Sequence, residues 1–408
     1  MIEVDVEARR KPAPLAARNA ARYLILGDFG ARSSGTVSVD RDNLDDVLAG
    51  REVSLAGTRL REIEDFHPDR LFRSCEIFRD LREDQPEPAP SRPQASPQPD
   101  LGKMLRPPSL LEQIAAGGDD PLQQYIREVA RAHGSAPASN PKASQKTKEC
   151  ADRMRALLRH SRFQPVEAAW RGLDFVVRRM DDETARIHIA QLSKKDLAAD
   201  LLDATDLTAT RTYSLLTGRE WQGIFGLYAF GGETEDIGLL GRIALLASNA
   251  KVPFVAEGNV DMGEQWDELR SIPEAGHIGL ALPRMLLRLP YGSRTSPIEA
   301  FEFEEMPGTP EHSGYLWGSP ALACLAILSR GEAREEEEDE LDLCHLPLHS
   351  YQEDGDWKTT PCAEVLLTQA HVEALMDLGL MPIVSFRDTD RVRLAGFRAI
   401  NGKGLLNT

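Results

Sequence analysis

The chain has 408 residues, with 48 Lys+Arg against 65 Asp+Glu, a net charge of −17 and 41% hydrophobic residues. An acidic balance with a pI near 5.1 argues against nucleic acid as a partner, because counterion release needs a basic face. No apolar run is long enough to cross a bilayer, so membrane insertion is not expected, and the length suits two or three domains with a substantial core.

Ile2, Val4 and Val6 alternate with Glu3, Asp5 and Glu7, the period of a strand. The Pro-containing stretch Arg9 to Pro14 follows at once, so a strand here has no local partner: either it pairs with something distant or with another chain, or the segment is a frayed terminus. The run YLILGDFG reads as a buried strand ending in a glycine turn, VSVDR as a second strand, and NLDDVLAG as a helix capped by Asp42 or Asn43 and ended by Gly50. A strand-like run up to Asp69 then leads to a helix over PDRLFRSCEIFRDLRE, completing a small α+β module over residues 1–83.

Residues 84–108 hold eight of the chain's 26 prolines and read as an extended linker. Residues 109–145 carry a capping box from Ser109 to Glu112, a helical face of Leu122, Tyr125, Ile126 and Val129, and a second soft linker. The body, 146–408, opens with helical signals around Met154 and Leu158, then a stripe of Phe163, Val166, Trp170, Leu173 and Val177. Strands at RIHIAQL, GIFGLYAF, VPFVAEG and HIGLALP alternate with helices after Ser193 and over about Thr234 to Ala250. That alternation defines the fold class as mixed α/β in layers. Residues 332–342, with eight acids, read as a solvated loop; a helix near Thr368–Leu378 and strands at MPIVSF and RVRLAGFRAI close the chain.

Sites of chemistry are scarce. Gly27, Gly30 and Gly35 follow a strand without the spacing of a nucleotide loop. Cys344, His345, His349 and Cys362 offer metal-ligand atom types, but only the two histidines have a usable spacing and the cysteines form no pair. His312 beside Ser313 reads as turn material, and Asp40, Asp42, Asp45 and Asp46 lack the glycine and distal Glu of a calcium loop. Five scattered cysteines suit reduced thiols in the cytoplasm. No catalytic, metal or cofactor site is expected. Trp170 and Trp317 read as core or interface anchors, and Arg171, Arg284 and Arg288 as ion-pair partners for neighbouring chains.

Ordered motifs unify the body: Phe163 to Leu173, Ser193 to Leu197, Leu239 to Ile243, Pro253 to Ala256, Leu282 to Gly292, Phe301 to Glu305, Tyr315 to Gly318, Glu364 to Thr368 and Leu378 to Val384. In this order they resemble the large subunit of the type VI secretion contractile sheath, over roughly 146–400. Residues 22–50 and Glu64 to Asp69 more briefly resemble the sheath's small subunit. The resemblance implies a cytoplasmic structural subunit, not an enzyme, that polymerises in helical rings around an inner tube and contracts to drive it outward. It also implies partners: further copies, a separate small subunit, the tube protein, a baseplate and a recycling ATPase. An adaptor that docks on the baseplate without polymerising is the alternative. Interlocking terminal strands suit a sliding lattice, because main-chain hydrogen bonds survive rotation of the domains they join. Ile2, Val4 and Val6 are therefore expected to pair with the C-terminal strands of another copy, around Val392 and Leu394.

Overall fold

The computed structural model describes residues 20–32, 35–82, 141–330 and 340–405. The expected strand at Ile2 to Val6, the Pro-rich stretch, the Ser109 capping box, the Leu122 to Val129 face and residues 331–339 of the acidic run lie outside them.

Among the described residues, nine strands form one mixed sheet. In chain order the strands are β1 (Ala21–Gly27), β2 (Val37–Val39), β3 (Ser54–Leu55), β4 (Thr58–Arg59), β5 (Ala185–Gln191), β6 (Gly223–Phe230), β7 (Phe254–Gly258), β8 (Ile278–Leu282), β9 (Met285–Arg288), β10 (Leu316–Gly318), β11 (Asp342–Leu343), β12 (His349–Glu353), β13 (Asp356–Thr360), β14 (Met381–Ser385) and β15 (Val392–Leu394). The large sheet runs β11-β15-β14-β8-β7-β6-β1-β5-β2, and β3–β4, β9–β10 and β12–β13 are separate two-stranded pairs. Its six central strands, from β14 to β5, are parallel; β2 pairs antiparallel at one end, and at the other β15 pairs antiparallel with both β14 and β11.

Parallel strands covered on both faces are continuous apolar runs, and β1 shows why. Tyr23 and Ile25 face one core; Leu24 and Leu26 face the other. The helices Gln164–Val177 and Pro320–Ser329 cover the first face, and Lys194–Leu201, Arg211–Thr217 and Thr234–Ala250 the second. Caps set several of these starts: Ser193 Oγ accepts from the Asp196 amide, and Thr210 Oγ1 from that of Tyr213.

The N-terminal segment departs from the expected separate module. Its first strand, β1, sits between β5 and β6 in the centre of the body's sheet. A strand buried on both faces cannot stand in a small module of its own; it needs paired strands on each side. The segment's other apolar residues, Leu48, Phe66, Leu71, Phe72 and Phe78, join the same core as Trp170 and Leu322. Local readings also shift. The strand-like run before Asp69 is only β4 followed by a 3-10 turn, Ile63–Phe66, and the helix after it divides into Pro68–Ser74, a 3-10 turn and Arg79–Arg82. Asn43 precedes its helix without a side-chain cap, and Asp40 Oδ1 instead accepts from the Asp42 and Asn43 amides.

Candidate assembly site: a sealed ion network and an open cavity

The turn after β1 is locked from within. Phe29 and Ala31 donate backbone N–H groups to Gln191 Oε1, and Gly30 donates to Asp28 Oδ1 at 2.9 Å. Trp170 Nε1 donates to the Phe29 carbonyl at 2.9 Å, with the two rings edge to face. Gly30 needs its freedom here, at φ +67° with Val166 against the position a Cβ would take. Turn amides that could cradle a phosphate are therefore engaged by side chains. Trp170 is 0% exposed, so of the two expected roles, core or interface anchor, it fills the first.

Arg171 and Arg288 also turn inward. Glu167, one helical turn before Arg171, is 0% exposed and accepts from Arg171 Nε and Arg288 Nε, both at 2.8 Å. Arg288 donates to both oxygens of Glu305 at 2.8 and 3.1 Å. Arg171 Nη2 donates to the Tyr291 hydroxyl, the Tyr291 amide donates to Glu305 Oε2, and the Arg288 guanidinium lies 4.1 Å from the Tyr291 ring centre. Two cations meet two carboxylates, so the burial is charge-balanced. Burial pushes the Glu167 carboxyl up, but Arg288 and Arg171 outweigh it and hold it below the usual range. Burial drives the Tyr291 hydroxyl up to about 12. Three of the sequence motifs, Phe163 to Leu173, Leu282 to Gly292 and Phe301 to Glu305, thus converge on one network. Both arginines are ion-pair residues as expected, but within the chain rather than between chains.

Beside it lies a cavity of about 400 Å³ at the carboxyl ends of β1, β6, β7 and β8, lined among others by Asp28, Glu257, Arg284, His312 and Trp317. Arg284 donates to Glu364 through Nε and Nη2 at 2.8 and 2.6 Å, while Glu257 stands 3.8 Å away. His312 Nε2 is 2.8 Å from Glu364 Oε1, and its ring stacks on Trp317, whose Nε1 donates to the His312 carbonyl. Burial opposes the ionised form of Glu364, but its bonds to Arg284 prevail and hold it below the usual range. Glu257 lacks such a bond, and burial pushes it up to about 7. Trp317 is 8% exposed, so it is mainly a packing residue at the cavity wall.

The C-terminal edge differs most from expectation. Val392 and Leu394 are 1% exposed, and β15 pairs with β14 on one side and β11 on the other. Leu394 donates its amide to the Leu341 carbonyl, and Arg393 clamps Asp342 at 2.5 and 2.9 Å. The edge proposed to receive another copy's strand is therefore filled by this chain over 392–394. Asp342 is 0% exposed, so the acidic run ends in a core position rather than wholly in solvent. Arg391 and Arg393 are what make a buried carboxylate tolerable there.

The remaining candidates are dispersed. His349 Nδ1 lies 2.7 Å from the Tyr315 hydroxyl, and Cys362 Sγ lies 3.4 Å from the Thr389 carbonyl. Among the described residues no group of three or more His, Cys, Asp or Glu could hold a metal ion. Burial raises the thiols of Cys324 and Cys362 to about 12 and about 11, far from a reactive thiolate. Asp45 accepts from the Ile63 amide and Asp40 from the turn before its helix.

Comparison with known proteins places this architecture. The family model described as VipB: EvpB/VC_A0108, tail sheath N-terminal domain, matches residues 145–263 and 259–401, more than half of the chain. The chain belongs to this type VI secretion tail-sheath family. It is 26% identical over 286 residues to a protein of Pseudomonas aeruginosa called type VI secretion system sheath protein TssC1. The alignment covers 60% of this chain and 57% of that relative. Among the described residues no helix is long and apolar enough to cross a membrane.

Proposed function

We propose that the chain is a cytoplasmic structural subunit of a contractile sheath that polymerises around an inner tube and, on contraction, drives it outward, without catalysing a reaction. The supporting observation is that the family match, 145–401, takes in the whole sealed network and every strand of the parallel sheet except β1. A subunit that transmits force needs a body that moves as one piece, with its compliance at the edges and termini. A charge-balanced network tying the helix Gln164–Val177 to β9 and the Tyr291–Glu305 loop supplies that stiffness. The small-subunit likeness of the N-terminal segment fits the same role, with β1 already built into the body. Ile2, Val4 and Val6 would add to another copy at an outer edge of the sheet, where β2 and β11 lie, instead of at β15. Partners on this reading are further copies, a separate small subunit, the tube protein, the baseplate and a recycling ATPase.

Electron microscopy of the purified protein, alone and mixed with a tube protein and small subunit encoded beside it, tests the proposal. Striated tubes are expected. Discrete particles under every mixture would overturn polymerisation and favour a docking adaptor.

A further inference from the structure

Trp357 is 66% exposed, while the chain's other four tryptophans are at most 8% exposed. It stands on β13, beyond the Asp354–Gly355 turn of the β12–β13 hairpin, where both turn residues have positive φ. A groove of about 650 Å³ runs beside it, lined by Trp357, Tyr351, Pro290, Pro307, Pro310 and Arg294 among others. The Arg294 guanidinium lies 5.9 Å from the Trp357 ring centre. An exposed Trp and a Tyr along an open groove is the surface chemistry that grips a polyproline II segment, whose rings stack on aromatic faces at low entropic cost.

We propose that this groove binds the chain's own Pro-rich segment, residues 84–99. That stretch, DQPEPAPSRPQASPQP, has six prolines and one cation, Arg92, with Glu87 between the first two. The groove offers complementary charges in Arg294 and Glu304. A relay of contacts joins the segment's point of departure to the groove wall. The described N-terminal segment ends at Arg82, which donates to the Phe72 carbonyl; the Phe72 ring packs 5.1 Å from that of Phe301, three residues before Glu304 on the groove wall. A polyproline II chain advances about 3.1 Å per residue, so residues 84–99 can extend over about 50 Å from a start just beyond Arg82. Docking would tie the region that follows the N-terminal segment to the hairpin face of the body.

Acrylamide quenching of the full chain reads this directly, because Trp357 dominates the quenchable emission and the difference from Trp357→Phe isolates it. Replacing Pro86, Pro88, Pro90, Pro93, Pro97 and Pro99 with serine should raise the Trp357 quenching constant several-fold. A peptide of residues 84–99 added to that variant should lower it again, saturably. Protection that persists on dilution assigns the bound segment to the same molecule, and protection lost on dilution assigns it to a second copy. A Trp357 as accessible in the native chain as in the proline-free variant overturns the proposal, as does protection that survives removal of the prolines.

Discussion

Two neighbouring clusters of charge share one side of the molecule and behave oppositely. Around Glu167 and Arg288 every ionised group is balanced and sealed, with side-chain exposures of 0% and 10%. Around Glu257 and Arg284 an open cavity holds one guanidinium among three acids, Asp28, Glu257 and, through its bidentate bond, Glu364. The first cluster is frame and the second is adjustable surface. Burying charges costs less when they arrive already paired, so the sealed network adds stiffness and register rather than large net stability. An unmatched carboxylate beside solvent keeps the freedom to change its protonation.

The contrast predicts graded outcomes. Arg288→Met leaves Glu167 and Glu305 buried without their shared cation and should cost about 3–5 kcal/mol by urea unfolding. If the loss is instead near that of a surface change, the network is not the frame. Glu257→Gln sharpens the second half of the contrast. The folded pKa of Glu257, about 7, lies above its ordinary value of 4.5. Its contribution to stability is therefore complete below about pH 4.5 and is lost as pH rises through about 7. The native chain and Glu257→Gln should match in stability near pH 4.5, with the variant the more stable at pH 8. An unchanged difference across that window would mean that Glu257 does not titrate there. The smallest effect is expected from Arg284→Ala. Its side chain is 37% exposed, and solvent screens its bond to Glu364, so about 1 kcal/mol should be lost.

The parallel core was legible in the sequence because continuous apolar strands alternating with capped helices have few other solutions. The helix Thr234–Ala250 stands where periodicity placed it. Strand order was not legible, since the pattern of YLILGDF does not say which strands flank it, and only burial on both faces puts β1 in the middle of the sheet. The arginines were recognised as ion-pair residues, but their partners were missed. Glu167 four residues before Arg171 on one helix was the available signal; Glu305 and Glu364 join Arg288 and Arg284 only through tertiary folding. Asp342 hid in an acidic run whose composition argued for solvent, whereas its burial depends on Arg393 from a distant strand. Trp357 was readable in principle, because Asp354–Gly355 between short alternating runs is a hairpin signal.

The central claim is that the motif residues Glu167, Arg288 and Glu305 form an internal frame of the folded chain. A double-mutant cycle on Glu167→Gln and Arg288→Met, followed by urea unfolding of unassembled protein, measures it most directly. Residues that hold the frame should couple by about 2 kcal/mol, independent of protein concentration. Additive effects in the lone subunit, with coupling emerging only once copies assemble, would contradict it.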